Sequence, residues 1–230
     1  MSNLRARAAQ LHRRLLQVYG EPKPPARRGD GLSELVSCIL SQHTSDVNSE
    51  RAYASLRARF PAWEQVRDAP TQAVVGAIRS AGLANQKAPR IQAVLREITR
   101  QRGALNINFL RRAPVPEAKQ WLRALPGVGP KTAAITLLFG LNRPAFPVDT
   151  HVHRVAGRLG LIPPQLSAEK AHDALEAILP ESNFFAFHVN LIRHGRAVCK
   201  ARAPLCAACT LRDRCDYFQS AEKRGRENGK

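Results

Sequence analysis

The fold is decided by residues 125–133, which read LPGVGPKTA. Helical patterns flank this stretch on both sides. Gly127 and Gly129 permit a sharp turn and a close approach of the backbone to a ligand. Pro130 suits the first turn of the helix that follows, and the free amides of such a helix start can bind an anion. The stretch therefore predicts two helices joined by a tight turn, which is either an ordinary αα-hairpin or a phosphate-binding one.

The rest of the chain is also dominated by helical patterns. Residues 20–31 are rich in proline and glycine and predict a connector. Asp46 is the predicted N-cap of the helix that follows it. We find no internal repeat and no pair of strands, so we expect an all-α fold with short connections. Helices are predicted at about 4–19, 35–40, 46–59, 63–67, 71–80, 85–102, 115–124, 130–139, 149–160, 167–179 and 183–197.

The charge of the chain points to a polyanionic partner. Its 230 residues include 36 basic and 18 acidic side chains, which gives a net charge of +18. Nucleic acid is the first candidate partner and an anionic membrane the second, while a basic protein without such a partner is the alternative. We find no apolar run of about 18 residues and no secretory signal peptide. We therefore expect a cytoplasmic protein, in a compartment where cysteines stay reduced.

Four of the five cysteines lie close together near the end of the chain, with six, two and five residues between successive members: Cys199, Cys206, Cys209 and Cys215. Four thiolates this close would repel one another without a cation, so they predict a metal centre. Zinc ribbons usually contain two Cys-x2-Cys pairs and this segment has one, so a cluster and a single metal ion both remain candidates. Cys38 stands alone in an apolar helix and is predicted to be a small buried side chain.

Two ionisable residues are candidates for chemistry. Lys131 lies in the first turn of the helix after the hairpin, where the helix dipole disfavours a second positive charge. A neutral amine there can form a Schiff base with a sugar, although its position predicts a simple phosphate contact equally well. Asp149 begins a helix and is a natural N-cap, and such a carboxylate can also stabilise positive charge on a substrate. His151 and His153 are two apart and are predicted to be surface or packing residues of that helix.

These motifs together resemble the endonuclease III family of helix–hairpin–helix DNA glycosylases and AP lyases, over about residues 30–218. The hairpin 125–133, the VDTHV segment at 148–152 and the cysteine spacing all resemble motifs of that family. The resemblance implies that Lys131 is the nucleophile, that Asp149 is the catalytic carboxylate and that the four clustered cysteines bind a 4Fe–4S cluster. Relatives in the adenine-glycosylase branch lack the lysine, so the presence of both residues implies a bifunctional enzyme.

The resemblance also implies a division into lobes. A six-helix barrel with the hairpin would span 32–142, and an iron–sulfur domain would combine 1–31 with 143–218. The polar and charged composition of residues 219–230 separately predicts a disordered tail. DNA would lie across the cleft between the lobes.

A base that is excised from duplex DNA must first be flipped out, and an inserted side chain usually fills the gap. Residues 40–46 resemble the family's segment for this role. His43 stands where the family often has glutamine and Gln42 stands one place earlier, so either is a candidate, and an ordinary helix end is the alternative. Leu83 is the predicted second insertion residue. The predicted DNA-binding residues are Gln42, His43, Leu83, Gly127, Val128, Gly129, Lys200 and Arg202.

The function implied is removal of oxidised pyrimidines followed by nicking of the abasic site through β-elimination. The partner would be double-stranded DNA that contains damaged bases or abasic sites, bound by a monomer at the nucleoid and away from membranes. A glycosylase for another lesion and a non-catalytic DNA-binding module are the alternatives.

Overall fold

The computed structural model describes residues 2–24 and 30–220, and within these ranges all regular structure is helical. The prediction of an all-α fold is therefore confirmed. None of the described helices combines the length and the apolar character needed to cross a membrane. The chain divides into two compact units, one formed by residues 24–143 and the other by 1–23 with 144–230.

The 24–143 unit is built around α2 and α6, whose apolar faces are buried. Residues 91, 94, 95 and 98 recur at helical spacing on α6 and are fully buried. Short 3-10 turns at Arg79–Ala81 and Asn108–Arg111 connect the helices. The helices are α2 (Gly31–Ser41), α3 (Asp46–Arg59), α4 (Trp63–Asp68), α5 (Thr71–Ala77), α6 (Ala84–Arg102), α7 (Val115–Arg123) and α8 (Pro130–Ile135).

Two helix starts in this unit differ from the prediction. The side chain of Asp30 accepts a hydrogen bond from the Ser33 amide at 3.0 Å, so α2 begins at Gly31 instead of near residue 35. The predicted N-cap Asp46 was wrong, because the Ser45 hydroxyl accepts from the Asn48 amide and caps α3. Asp46 is the first helical residue instead, where its negative charge suits the positive end of the helix dipole.

The helix after the hairpin changes its pitch before it ends. α8 continues as a π-helical turn over Thr136–Gly140, and the Leu141 amide donates to the Thr136 carbonyl at 3.1 Å. Gly140 packs so closely against the start of α2 that a Cβ at this position would lie 2.9 Å from the Cα of Gly31. Glycine at this crossing lets α2 support the helix that carries Lys131.

The second unit contains α1 (Ser2–Tyr19), α9 (Thr150–Arg158), α10 (Ala168–Glu176) and α11 (Phe184–Ala197). The segment that leads into α9 is buried and held by side chains of this unit. His172 is hydrogen-bonded to the carbonyl of Phe146 at 2.8 Å, and His188 to that of Pro147 at 2.9 Å. Phe146 also packs edge-on against Phe184. The backbone before Asp149 is therefore fixed by its own unit.

The end of the chain departs from the prediction of a disordered tail over 219–230. Residues 216–220 are helical, because the Gln219 amide donates to the Cys215 carbonyl at 3.1 Å. The prediction was thus wrong for Gln219 and Ser220, and its remaining part, 221–230, lies outside the described residues.

Candidate active site

The hairpin between α7 and α8 uses its two glycines differently. Gly127 has φ +72°, and a Cβ there would lie 2.5 Å from Cδ of Arg90, so both backbone and packing require glycine. Gly129 is extended, and no atom of the described residues lies within 4 Å of a Cβ built at this position. The turn itself needs glycine only at Gly127. The open space at Gly129 leaves room for a ligand to approach the backbone.

Val128 anchors this turn. Its side chain is buried, and its amide donates to the Leu125 carbonyl at 3.2 Å. The amide of Val128, a predicted DNA-binding residue, is therefore already bonded within the turn. Lys131 and Thr132 lie in the first turn of α8, whose amides have no acceptor within the helix itself. These amides are the ones available to a phosphate.

Lys131 is exposed in the first turn of α8, and the next residue, Thr132, is buried. Cys38 of α2 lies behind this helix start and is buried, as predicted. Burial raises the pKa of the Cys38 thiol, although hydrogen bonding to Thr132 and the charge of Lys131 act in the opposite direction. The lysine therefore presents its amine to solvent above a closely packed support.

Asp149 caps α9 in the second unit. Its Oδ1 accepts a hydrogen bond from the Val152 amide at 2.7 Å, so the predicted N-cap is confirmed. The side chain is half-buried. His153 is hydrogen-bonded to the Leu166 carbonyl at 2.6 Å, and Nδ1 of His151 lies 3.1 Å from Arg154. Both histidines thus contact their own unit, as predicted for surface or packing residues.

The loop between α2 and α3, residues 42–45, places its two candidate insertion residues in different environments. Gln42 is half-buried, and its Oε1 accepts from Nη1 of Arg90 at 2.9 Å. His43 is exposed and has φ +53°, a conformation that residues other than glycine adopt only at a cost. The structure thus holds Gln42 against the unit and leaves His43 projecting.

The turn before α6, residues 79–83, also presents an exposed side chain on strained backbone. Gly82 has φ +65° and Leu83 has φ +49°, and the Leu83 side chain is 48% exposed. An exposed leucine in this conformation costs on the order of 1 kcal/mol, so its surroundings must impose it. The Ser80 hydroxyl donates to the Asn48 carbonyl at 3.4 Å, which ties this turn to α3.

The four clustered cysteines belong to an irregular segment after α11, residues 199–215, which we call the cysteine loop. All four line one cavity, together with apolar side chains such as Leu159 and Val198. Nη1 of Arg158 donates to the Cys199 sulfur at 3.3 Å. Within 2–24 and 30–220, no group of three or more histidine, cysteine or acidic side chains is arranged so that it could hold a metal ion.

A buried histidine forms one wall of this cavity. His194 lies 3.6 Å from the Cys209 sulfur and 3.1 Å from the Tyr19 hydroxyl. Burial lowers the pKa of His194 to about 4, so the ring is neutral at physiological pH. Burial also raises the pKa of Cys209 and Cys215. The cavity therefore offers soft sulfur donors in surroundings that disfavour uncompensated thiolates.

Arginines hold the backbone of the cysteine loop. Arg158 donates to the Lys200 carbonyl at 2.7 Å and to the Ala201 carbonyl at 3.1 Å. Arg7 donates to the Arg214 carbonyl at 2.7 Å. The side chains of the predicted DNA-binding residues Lys200 and Arg202 are exposed. Arg158 was not predicted as a functional residue, because nothing in the sequence around it shows that its side chain bonds to a loop more than 40 residues away.

Two residues of α6, Lys87 and Arg90, contact the segments that carry the predicted insertion residues and were not predicted either. A signal existed for Lys87, because it lies four residues before Ile91 and so on the buried stripe of that helix. A lysine at such a position calls for a specific partner.

The chain is similar in sequence and in fold to known DNA repair proteins. Residues 36–181 match the model of the HhH-GPD superfamily of base excision DNA repair proteins. The endonuclease III of Thermotoga maritima is 34% identical over 194 residues, which cover 84% of this chain and 86% of that protein. A candidate DNA glycosylase of Arabidopsis thaliana is 40% identical over 165 residues, which cover 72% of this chain and 56% of that longer relative. A solved non-covalent endonuclease III–DNA complex matches with a TM-score of 0.80 at 25% identity, over 95% of this chain and 98% of that one.

Proposed function

Since the chain belongs to the endonuclease III homologues of the HhH-GPD superfamily, which are base excision repair DNA glycosylases and AP lyases, we propose that it removes oxidised pyrimidines from double-stranded DNA. It then nicks the abasic site by β-elimination. The observation that carries this proposal is the exposed amine of Lys131 in the first turn of α8, two residues after the open backbone at Gly129. A nucleophile at this position is next to amides that suit a backbone phosphate.

Lys131 is the proposed nucleophile. Its amine nitrogen forms a bond to C1′ of the damaged nucleotide, and the base leaves with the electron pair of the glycosidic bond. The amine loses a proton and the sugar ring opens, which gives a Schiff base. Removal of a proton from C2′ then expels the 3′ phosphate and breaks the strand.

Asp149 is the proposed electrostatic partner. A carboxylate stabilises the positive character that develops at C1′ as the base departs, and it can relay protons. The hydrogen bond from the Val152 amide fixes the orientation of this carboxylate, so little reorganisation is needed when charge develops.

DNA binding is proposed for the hairpin, the 42–45 loop and Leu83 of the 79–83 turn. The hairpin amides and the exposed cations of the cysteine loop would contact phosphates, which carry no sequence information. His43 and Leu83 are exposed on strained backbone and are suited to occupy the gap left by a flipped base. Damaged duplex DNA is the proposed substrate of a monomer that acts on the nucleoid in the cytoplasm.

A 4Fe–4S cluster is the proposed occupant of the cysteine cavity. Four sulfur donors around one cavity with apolar walls suit iron–sulfur chemistry better than a site for hard cations. Cys199, Cys206, Cys209 and Cys215 would hold the cluster, which would supply a rigid support for the loop. Lys200 and Arg202 of that loop could then meet phosphates at fixed positions.

The test is excision from duplexes that each carry one defined lesion, beginning with thymine glycol. Lys131→Gln and Asp149→Asn should bind the duplex but lose excision, by about a thousandfold for the lysine variant. Lys170→Gln, which removes an exposed lysine of α10, is the matched control and should behave as wild type. Excision of oxidised purines but not pyrimidines would redirect the proposal to another lesion. If the protein binds the duplexes but excises no lesion, it is a non-catalytic DNA-binding module.

A further inference from the structure

Lys87 is a buried cation that the proposed chemistry does not use. Its side chain is 2% exposed, which makes it one of the largest fully covered side chains in the described residues. Its Nζ donates to the Leu40 carbonyl at 2.7 Å and to the Ala81 carbonyl at 2.8 Å. Both acceptors belong to the 24–143 unit, and Leu40 is 47 residues away in sequence.

The carbonyl oxygens of Leu40 and Ala81 are good acceptors for a buried cation. Leu40 lies in the last turn of α2, whose carbonyls lack partners within the helix and carry the negative end of its dipole. Ala81 ends the 3-10 turn. Burial lowers the pKa of Lys87, but the ammonium form gains two hydrogen bonds to backbone oxygens. One buried side chain therefore joins the ends of two separate elements.

Each of these carbonyls lies just before a predicted insertion residue. Leu40 is followed by the 42–45 loop, and Ala81 is followed by Gly82 and Leu83. Arg90, almost one turn further along α6, bonds to the Gln42 side chain. The Ser80 hydroxyl donates to the Asn48 carbonyl in the first turn of α3, the helix that follows the 42–45 loop. The two segments are thus joined at several points, and the Lys87 link is the buried one.

We propose that Lys87 is a positioning residue that fixes the 42–45 loop relative to the 79–83 turn, so that both enter the duplex together. The proposal rests on the proposed function, because it assumes that these segments fill the gap left by a flipped base. Lys87 itself touches neither DNA nor the reacting sugar. Its effect is on the spacing between His43 and Leu83.

This role has a signature that a purely structural role lacks. Loops that fill a gap in a duplex are needed only where a partner strand exists. An abasic site in single-stranded DNA needs no flipping, so cleavage of it depends on Lys131 and Asp149 but not on the two loops. The ratio of the cleavage rate in duplex DNA to that in single-stranded DNA therefore measures the contribution of loop insertion separately from the reaction at the sugar.

The chain provides a matched control on the same helix. Gln92 is fully buried, and its Nε2 donates to the Val66 carbonyl at 3.0 Å and to the Ala69 carbonyl at 2.7 Å. It thus joins two backbone carbonyls as Lys87 does, but at the connection between α4 and α5. Lys87→Met and Gln92→Met each replace such a donor by an apolar side chain of similar size.

The experiment measures single-turnover cleavage of an abasic site in duplex and in single-stranded DNA, below the melting temperature of every variant. Lys87→Met should lower the duplex-to-single-strand ratio by about ten- to a hundredfold, as expected when reacting groups are misplaced by about 1 Å. Gln92→Met should leave the ratio unchanged. Lys87→Gln keeps a shorter donor and should fall between wild type and Lys87→Met, and it replaces the methionine variant if that protein does not fold.

A second readout does not require catalysis. 2-Aminopurine opposite a stable abasic analogue reports insertion through its fluorescence, which Lys87→Met should return towards the value of free duplex. Equal loss of duplex and single-strand cleavage in Lys87→Met, or the same ratio change in Gln92→Met, would overturn the proposal. If wild type cleaves neither substrate, the proposed function fails, and the fluorescence alone then decides whether Lys87 positions the loops.

Discussion

The loops of the 24–143 unit and the cysteine loop of the second unit both present irregular backbone at the surface, but they are held in different ways. The 79–83 turn and the end of α2 are joined by the buried Lys87 ammonium, with both partners supplied by the protein. The cysteine loop is held by arginine side chains near the surface and by four thiols around a cavity. The first arrangement uses only groups of the chain itself, while the proposed cluster would complete the second.

The largest expected effect is a difference in amide hydrogen exchange between the cysteine loop and α6. Removing the proposed cluster should raise amide hydrogen exchange in residues 199–215 by about a hundredfold or more, because binding energy at such a site is local folding energy. Exchange in α6 should stay unchanged. Cys206→Ser should reproduce the effect, and Cys38→Ala, which removes a buried thiol outside the loop, is the control. If removal of the cluster changes the exchange rates in residues 199–215 as little as those in α6, the cysteine loop is stable without the cluster.

The hairpin glycines test whether the open space at Gly129 serves a ligand. Gly129→Ala should weaken duplex binding by about tenfold with little change in melting temperature, since a methyl group there meets only the approaching phosphate. Gly127→Ala should instead lower the free energy of unfolding by about 1–2 kcal/mol, because its φ is positive and Arg90 must move. Calorimetry and a binding titration measure the two effects. If Gly129→Ala binds as wild type, the phosphate does not approach this point.

Two substitutions of Asp149 distinguish its role as the cap of α9 from its proposed role in excision, with a smaller expected effect on stability. Asp149→Ala should lower the free energy of unfolding by about 1 kcal/mol, because the cap on the Val152 amide is lost, whereas Asp149→Asn keeps a good cap and should be nearly neutral. Both variants should lose excision, since neither carries the charge. Thermal unfolding beside an excision assay measures the difference. If Asp149→Asn retains excision, Asp149 caps α9 but has no role in catalysis.

Sequence patterns predicted the features that depend on neighbours in the chain. The helices, the hairpin and the Asp149 cap all follow from residues within one or two turns of each other. The choice of Ser45 over Asp46 as the N-cap of α3 was missed, because both residue types cap helices well and the tertiary entry angle decides between them.

Features that depend on distant partners could not be predicted. The Lys87 contact with Leu40 joins residues 47 apart, and the left-handed conformations of His43 and Leu83 come from the packing around them. The π-helical turn at Thr136–Gly140 depends on how closely Gly140 meets α2. The helical spacing between Lys87 and Ile91 shows that Lys87 is on the buried face of α6, but it does not show which carbonyls Lys87 binds.

The proposed nucleophile can be tested most directly by borohydride reduction during cleavage of duplex DNA that contains an abasic site. We expect one covalent protein–DNA adduct with wild type, and proteolysis followed by mass spectrometry should locate it on Lys131. Lys131→Gln should form no adduct while still binding the duplex. An adduct on a different amine, or an undiminished adduct with Lys131→Gln, would contradict the assignment of the amine at the start of α8 as the group that attacks the sugar.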